Sequence, residues 1–282
     1  MIRASRNSLP LHRTRRTTWN VNNRNPRPMH LTLLRDVEPD ILALQEVSPS
    51  FHRAIDEARL FTWSAFSLSG NPELSASSRS RRLGCSIFGS APFKLTSTSR
   101  LDTLVFPERT LMARIHSGSC PLTVCSIHIP PGSSWGVVKP QTMESIARWL
   151  SELHGTCIVG MDANAPKVDH PDIERNVWWW AAEPLLLGGN PIHHLKDAFR
   201  FYLKTHPAEL RAIIQSRPEG PLAVSHVRGS GRKRTECRYD FIYCSSEIIV
   251  ESVSHMYSES MAAGSDHALV TASLRIALPG AA

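Results

Sequence analysis

No apolar run in the sequence approaches the roughly 20 residues that a helix needs to span a bilayer. The six cysteines include no Cys-x-x-Cys pair, so the spacing typical of a structural zinc site is missing. No acidic residue precedes Asp36, and the same stretch lacks the apolar core of a secretory signal. We therefore expect a soluble, cytoplasmic protein whose cysteines are reduced, while their even number leaves disulfide pairing open as an alternative.

The size and charge of the chain favour one folded domain with a polyanionic partner. The 282 residues are 41% hydrophobic, which is enough for a full core, and neither an internal repeat nor a linker is evident. The 32 basic and 25 acidic residues give a formal charge of +7, which favours binding to nucleic acid. We predict a mobile basic arm over residues 1–16 and a single, monomeric domain over residues 17–278. Two alternatives for the arm are a segment that follows phosphates and an organelle-type presequence.

Apolar strands and amphipathic helices alternate along the chain. Residues 41–44, 122–129 and 157–159 are apolar and partly β-branched, as is typical of buried strands. Residues 28–37 and 141–153 carry apolar side chains at helical spacing. The strand–helix–strand order predicts a protein that mixes α-helices and β-sheets.

Polar residues follow the apolar strands where the strands end. Asp162 and Asn164 are two residues apart, so they point to the same side of an extended chain. An acid beside an amide at a rigid strand end can hold a water and an oxyanion, although Asp-x-Asn is also a common turn sequence. The other polar residues at strand ends are Asn20, Glu46, His128, Asp240, Asp266 and His267. Such a collection is typical of a catalytic edge because rigid strands position side chains well.

The order and spacing of these residues resemble the endonuclease/exonuclease/phosphatase superfamily, which has the DNase I-like fold. The motifs that carry the resemblance are Trp19-Asn20, Gln45-Glu46, His128, Gly160-Met161-Asp162-Ala163-Asn164, Arg238-Tyr239-Asp240 and Ser265-Asp266-His267. The resemblance covers nearly the whole chain. It implies an α/β (α+β) fold, a four-layer sandwich of two packed, mainly antiparallel β-sheets flanked by α-helices. It also implies a phosphoesterase that depends on a divalent cation.

The resemblance also implies a metal site and a general base. Asn20, Glu46 and Asp266 would bind Mg²⁺, with Mn²⁺ as a substitute, and oxygen ligands suit such a hard cation. The metal would polarise a phosphoryl oxygen. Asp162 would orient and deprotonate the attacking water.

The remaining roles concern the phosphate. His267 would contact it, and Asp240 would keep the imidazole of His267 oriented and charged. Asn164 would donate to the phosphoryl oxygens. His128 would be a second phosphate contact or a general acid.

Two motifs depart from the family pattern. The usual Gly-Asp-Phe-Asn type motif is Gly-Met-Asp-Ala-Asn at residues 160–164, with one residue inserted after the glycine. The exonuclease III-like branch usually has Gln-Glu-Thr-Lys and Tyr-x-Pro-Asn, whereas residues 45–48 are Gln-Glu-Val-Ser and residues 127–130 are Ile-His-Ile-Pro. These differences argue against abasic-site repair and favour the DNase I-like branches that use two histidines.

We expect a nuclease that hydrolyses phosphodiester bonds in DNA or RNA. The basic residues expected to contact phosphate are Arg81, Arg82, Arg232, Lys233, Arg234 and Arg238. The alternative is a phosphatase or phosphodiesterase acting on a lipid head group or a small phosphorylated metabolite. The residues Trp178-Trp179-Trp180 would then form a membrane-facing wall on a lipid surface or an apolar substrate wall, although core packing is the commoner fate of such a cluster. A non-catalytic binding protein on the same scaffold is a third interpretation.

Overall fold

The computed structural model describes residues 11–22, 25–69, 83–229 and 233–277, which form two facing β-sheets flanked by helices. The strands are β1 (Leu11–Asn20), β2 (Ile41–Val47), β3 (Trp63–Phe66), β4 (Gly84–Gly89), β5 (Lys94–Ser99), β6 (Thr110–Ser117), β7 (Cys120–His128), β8 (Cys157–Asp162), β9 (Lys196–Asp197), β10 (His226–Arg228), β11 (Thr235–Cys237), β12 (Asp240–Cys244), β13 (Ile249–Met256) and β14 (Leu269–Ala277). The helices are α1 (Pro28–Val37), α2 (Pro49–Glu57), α3 (Gly132–Trp135), α4 (Val138–Ser151), α5 (Glu183–Leu187), α6 (Ala198–Thr205), α7 (Pro207–Ser216) and α8 (Tyr257–Ala263).

The two large sheets have matching topologies. The first sheet has the strand order β13-β14-β1-β2-β4-β3, in which only β1 and β2 run parallel. The second sheet has the order β5-β6-β7-β8-β12-β9, in which only β7 and β8 run parallel. The strands β10 and β11 pair separately as a short hairpin. The predicted four-layer sandwich of two mainly antiparallel sheets flanked by helices is therefore confirmed.

A helix crosses between the two strands of each parallel pair. The helix α1 connects β1 to β2, and Pro28 lies in its first turn, where a backbone N–H has no helical partner. The helix α4 lies between β7 and β8 in the same way. Both helices confirm the amphipathic spacing, although α4 begins at Val138, before the predicted start at residue 141. Because parallel strands end on the same side, each pair delivers two carboxyl-terminal residues to one edge of its sheet.

Three apolar clusters hold the layers together. The cluster between the sheets includes Ile87 and Leu274 from the first sheet and Ile158 and Ile242 from the second. A second cluster packs α4 against the second sheet, and a third packs α1 and α2 against the first sheet. This arrangement explains why the central strands read as nearly continuous apolar runs, since both of their faces are covered.

The two sheets approach each other closely next to the polar edge. A Cβ placed on Gly160 would lie 2.6 Å from Thr18 Oγ1 and 3.0 Å from Ala43 Cβ. Gln45 Nε2 donates a hydrogen bond to Ser126 Oγ at 3.0 Å and thereby connects β2 to β7. The absence of a side chain at Gly160 thus lets the ends of the strands from both sheets come together.

The predicted boundary of the basic arm at residue 16 is wrong. The strand β1 begins at Leu11 and pairs with β14 over most of its length, so residues 11–16 belong to the first sheet. Arg16 is only 2% exposed, and its guanidinium lies 4.5 Å from the ring centroid of Phe93. Basic composition therefore did not mean solvent exposure here, because cross-strand pairing and cation–π packing enclose the arginine. Residues 1–10, the rest of the predicted arm, lie outside the described residues.

All six cysteines are buried and have free thiols. Within the ranges that the structure describes, none of the helices combines the length and hydropathy required to cross a bilayer.

Candidate active site

Strand ends from both sheets converge at one edge of the sandwich. Asn20 ends β1, and Glu46 lies near the end of β2. His128 and Asp162 end β7 and β8 and are register partners. Asp240 begins the neighbouring antiparallel strand β12 directly opposite Asp162. The structure therefore brings together residues that are far apart in the chain; Asn20 and Asp240, for example, are 220 positions apart.

The side chain of Asn20 connects the two sheets. Its Nδ2 donates a hydrogen bond to Asp162 Oδ2 at 2.7 Å, and its Oδ1 accepts one from the Asn22 backbone N at 2.7 Å. The hydroxyl of Ser265 donates to the Asn20 carbonyl oxygen at 2.6 Å. These contacts fix Asn20 completely within the buried part of the site, where it is 0% exposed.

Asp162 is the most enclosed carboxylate of the site. It is 0% exposed, and its Oδ1 accepts a hydrogen bond from Asn164 N at 2.9 Å. Burial raises the pKa of Asp162, His267 opposes the rise and Asp240 adds to it, so that the pKa lies at about 7. A carboxylate with a pKa near neutrality accepts a proton much more readily than an ordinary aspartate, which suits a general base.

Asp240 and His267 form a buried ion pair. His267 Nδ1 lies 2.9 Å from Asp240 Oδ2 and 3.2 Å from Oδ1. Burial lowers the pKa of His267, but Asp240 and Asp162 together raise it to about 10. The imidazole is therefore charged at neutral pH. Trp19 Nε1 donates to the His267 carbonyl oxygen at 3.1 Å, which ties this segment to β1.

His128 lies between an acidic pair and an arginine. Its Nε2 is 3.3 Å from Glu46 Oε1 and 3.7 Å from Asp162 Oδ2, while Arg109 approaches the ring to within 3.3 Å. Burial, helped by the positive charges of Arg109 and His267, lowers the pKa of His128 well below its ordinary value. His128 is therefore a neutral imidazole, and the site contains one charged and one neutral histidine.

Asn164 lies next to Asp162, but its amide is already engaged. Its Nδ2 donates to Ile129 O at 2.9 Å and to Asp162 Oδ2 at 3.1 Å. Its backbone φ of +48° lies in the left-handed region, which is uncommon for residues other than glycine. The buried ammonium of Lys139 donates to the Asn164 carbonyl oxygen at 2.6 Å and lies 3.2 Å from Glu183 Oε1. This arrangement suits Asn164 to orienting Asp162, while its donation to phosphoryl oxygens stays a prediction.

The oxygen-bearing residues predicted to hold a metal lie at the same edge. Asp266 Oδ1 is buried, and it has no hydrogen-bond partner in the described part of the chain. Glu46 has a φ of +53° next to an irregularity in the pairing of β2 with β4. A carboxylate oxygen left without a partner and a residue held in a sparsely populated conformation are both typical of ligand sites.

Two clusters of possible ligands overlap this region. Asp162, Asp240 and His267 place their ligand atoms within 4.8 Å of one another, as do His226, Asp266 and His267. The first cluster is occupied by the ion pair and the hydrogen bonds of Asp162 described above. Asp266, whose Oδ1 has no partner among the described residues, belongs to the second cluster with His226 and His267.

The predicted phosphate-binding arginines and lysine have three different outcomes. Lys233 and Arg234 are exposed next to the β10–β11 hairpin. Arg81, Arg82 and Arg232 lie outside the described residues.

Arg238 is the exception, and the structure corrects its predicted role. It is 1% exposed, and it binds Asp197 through two contacts of 2.7 and 2.8 Å and Asp169 through one of 3.4 Å. Burial favours the neutral form of Asp197, but Arg238 and Arg200 outweigh it and lower the pKa of Asp197. The Arg238 guanidinium is thus committed to a buried ion-pair network and is not available to a phosphate.

Two residues of the site escaped the sequence analysis. His226 stacks on His267 with ring centroids 4.5 Å apart, and its Nδ1 lies 3.1 Å from the Asp266 carbonyl oxygen. Arg109 lies beside His128 and packs near the ring of Phe106 at 5.1 Å. His226 and Arg228 are two residues apart on the short strand β10. This alternation of polar residues is a sequence signal that could have predicted a role for His226. Arg109 lies in an irregular segment and carried no such signal.

The tryptophan cluster divides between the two expected roles. Trp178 packs against the apolar cluster of α4 and the second sheet. Trp179 is 44% exposed, and both Trp179 and Trp180 line a cavity that reaches Asn164 and His226. Core packing therefore describes only the first of the three residues.

Comparisons with known proteins agree with this fold. D. rerio TDP2 complexed with single strand DNA product is 12% identical, with a TM-score of 0.62, and the alignment covers 93% of this chain and 98% of that chain. The human Nocturnin catalytic domain with bound sulfate is 16% identical, with a TM-score of 0.57, covering 93% and 94%. ANGEL2, described as a 2',3'-cyclic phosphatase, is 15% identical, with a TM-score of 0.57, covering 95% and 96%. At these identities the likeness shows the fold alone.

No curated protein sequence matches the chain. The model of the Endonuclease/Exonuclease/phosphatase family matches residues 17–267, from β1 to the histidine of the buried ion pair. The match spans most of the chain and includes every strand-end residue of the site. The chain therefore belongs to the endonuclease/exonuclease/phosphatase family, whose members hydrolyse phosphoester bonds.

Proposed function

We propose that the protein is a Mg²⁺-dependent nuclease that hydrolyses phosphodiester bonds in nucleic acid. The observation that carries the proposal is the environment of Asp162, a buried carboxylate with a raised pKa that faces a charged histidine. The ligand atoms of Asp162 and His267 lie within 4.8 Å of each other. A base close to a positive charge is what a water attack on a phosphate diester requires.

Each residue of the site has a separate role in the proposed reaction. Asp162 accepts the proton of the attacking water, and Asn20 and Asn164 hold its carboxylate in place. Charged His267, kept in orientation by Asp240, contacts a phosphoryl oxygen and offsets its negative charge. Neutral His128 donates its N–H to the phosphate or to the leaving oxygen.

A divalent cation fits the remaining oxygen atoms. Glu46 and Asp266 would supply carboxylates and Asn20 an amide oxygen, and the buried Oδ1 of Asp266 has no hydrogen-bond partner among the described residues. When bound, such a cation polarises a phosphoryl oxygen and stabilises the charge of the leaving group. The prediction of Mg²⁺, with Mn²⁺ as a substitute, rests on this preference for oxygen ligands.

Charge and fold support a nucleic acid as the substrate. The formal charge of the chain is +7, and Lys167, Arg228, Lys233 and Arg234 all lie in the described ranges around the cavity or the β10–β11 hairpin. A similar structure, that of D. rerio TDP2, contains a single strand DNA product. Contacts between cations and backbone phosphates predict binding that weakens steeply as the salt concentration rises.

One observation favours a second candidate, a phosphatase or phosphodiesterase for a small phosphorylated molecule or a lipid head group. The exposed ring of Trp179 beside a cavity suits a small, partly apolar substrate as well as a nucleotide. The similar structure of ANGEL2 belongs to a protein described as a 2',3'-cyclic phosphatase. The same catalytic groups would serve both substrate classes.

A substrate panel tests the proposal. Labelled single- and double-stranded DNA, RNA, phosphoinositide vesicles and nucleoside 2',3'-cyclic phosphates would be incubated with Mg²⁺ or with EDTA. We expect cleavage of a polynucleotide that EDTA abolishes and that His267→Ala lowers by at least about 100-fold. His154→Ala, at an exposed histidine away from the described site, is the matched control and should retain full activity. Turnover confined to vesicles or cyclic phosphates would replace the nuclease with the second candidate.

A further inference from the structure

A cavity of about 510 Å³ opens directly beside the candidate active site. We call it the Trp179 cavity; its lining includes Gly132, Asn164, Trp179, Trp180, His226 and Arg228. The volume lies within the range of roughly 300–1,000 Å³ that is usual for small-molecule sites. Asn164 and His226 belong to both the cavity and the catalytic edge, so a molecule in the cavity lies next to the phosphate-binding residues.

The walls of the cavity combine indole rings with cations. The Arg228 guanidinium carbon lies 5.0 Å from the Trp179 ring centroid, and Lys167 Nζ lies 4.9 Å from it. Trp180 faces Gly132, where an added Cβ would approach its Nε1 to 3.2 Å. Indole rings and guanidinium planes are the groups on which bases stack in single-stranded nucleic acids.

The tryptophan segment is held in place from behind. The Trp179 backbone N donates to Glu183 Oε2 at 2.9 Å, and Glu183 Oε1 lies 3.2 Å from the buried ammonium of Lys139. Lys139 in turn donates to the Asn164 carbonyl oxygen at 2.6 Å. A single buried network therefore supports both Trp179 and Asn164, the residue that orients Asp162. This network fixes the distance between the cavity and the reacting groups.

His226 forms the boundary between the cavity and the phosphate site. Its ring stacks on His267 with centroids 4.5 Å apart and on Tyr239 with centroids 5.5 Å apart. A planar group in the cavity that is joined to a phosphate at His267 would continue this column of rings. A nucleotide has the required combination, a flat ring connected to a phosphate through a sugar.

We propose that the Trp179 cavity binds a nucleobase of the substrate, next to the scissile phosphate, through stacking on Trp179, Trp180 and Arg228. The inference rests on the proposed function and adds a determinant of specificity to it. The binding is expected to select nucleotides over sugar phosphates, with little distinction between bases, because every base presents a flat face.

Calorimetry with small probes tests the subsite independently of turnover. AMP, dAMP and ribose 5-phosphate would be titrated into the full chain in EDTA, so that hydrolysis does not consume the ligand. We expect AMP and dAMP to bind roughly 5- to 150-fold more tightly than ribose 5-phosphate, the range expected for stacking of one base. Trp179→Ala should remove most of this preference without changing the affinity for ribose 5-phosphate, and Trp179→Phe should retain part of it.

A second pair of variants guards against a general loss of structure. Arg228→Ala should reduce the preference for AMP, whereas Arg211→Ala, at an exposed arginine on α7, should leave it unchanged. Equal affinities for AMP and ribose 5-phosphate in the wild type would overturn the subsite, as would no measurable binding of either. An equal loss for both ligands in Trp179→Ala would overturn it as well.

Hydrolysis assays separate the subsite from the proposed function. A polynucleotide and the same strand with one abasic residue beside each tested phosphate would be compared with Mg²⁺. Metal-dependent cleavage that does not depend on the base would refute the subsite alone. A preference for AMP in calorimetry without cleavage of any polynucleotide would refute the proposed function alone.

Discussion

Asn20 donates a hydrogen bond to Asp162 at 2.7 Å and so joins the last residue of β1 to the last residue of β8. The two strands belong to different sheets, and each belongs to the one parallel pair among the described strands of its sheet. The site therefore exists only where the two sheets pack together. The two sheets approach each other closely at Gly160, two residues before Asp162, and this makes the contact geometrically feasible.

Replacement of Asp162 by asparagine should abolish most of the activity. The amide keeps the volume of the side chain but cannot accept the proton of the water, so we expect kcat to fall by about 10²–10⁴-fold. Steady-state kinetics on the preferred substrate measure the loss. Asp36→Asn, at an exposed aspartate on α1, is the control. Retention of more than about a tenth of the activity in Asp162→Asn would exclude Asp162 as the base.

Replacement of Asp240 by asparagine should lower the pKa of His267. The folded pKa of about 10 exceeds the ordinary value of 6.5, so the ion pair stabilises the fold fully below pH 6.5 and loses its contribution as the pH rises through about 10. Without Asp240, burial lowers the pKa and the imidazole becomes neutral at a lower pH. Titration of the His267 ring protons by NMR in EDTA checks this. An unchanged midpoint in Asp240→Asn would show that another group holds the charge.

Replacement of Glu46 by glutamine should weaken metal activation. Removing the negative charge should raise the Mg²⁺ concentration for half-maximal activity by at least about tenfold, while saturating Mg²⁺ restores part of the rate. A Mg²⁺ titration of the initial rate measures the shift. Glu57→Gln, at an exposed glutamate that ends α2, should not move the curve. An identical Mg²⁺ dependence in Glu46→Gln and the wild type would remove Glu46 from the metal site.

Replacement of Arg238 by glutamine should affect stability rather than substrate binding. The change removes the main partner of Asp197 and one of the two arginines that pair with Asp169, and we expect a loss of about 3–5 kcal/mol in the free energy of unfolding. Urea denaturation measures this loss, with Arg211→Gln as the exposed control. A small loss of stability together with a large loss of nucleic-acid affinity would instead restore the phosphate-binding role predicted from the sequence.

The strand-end residues were accessible to sequence reasoning because each one lies at or next to an end of an apolar strand. Asn20, Asp162, Asp240 and His267 were each expected at a sheet edge, and in the structure they form direct hydrogen bonds or ion pairs with one another. The parallel pairs explain the success, since a crossover helix between two strands sends both carboxyl ends to one side. The functional roles of these residues remain predictions until the variants are measured.

The environments of Arg16 and Arg238 could not be predicted from the sequence because they depend on tertiary contacts. Arg16 appeared to belong to a solvated arm, yet strand pairing on both sides and the ring of Phe93 enclose it. Arg238 resembled a phosphate ligand because Asp197 and Asp169, its partners, lie far away in the chain. A local sequence pattern does not contain such long-range pairs. Sequence reasoning alone therefore predicts that a basic residue is exposed.

The central claim is that residues from both sheets form one metal-dependent active site. The measurement that tests it most directly is a double-mutant cycle on Mg²⁺-dependent phosphodiester hydrolysis with Glu46→Gln from the first sheet and Asp162→Asn from the second. If both residues act in one site, the double variant should be at most about tenfold slower than the slower single variant, because groups that act as a unit are strongly non-additive. Losses that simply multiply, or a wild type without metal-dependent hydrolysis, would contradict a shared site.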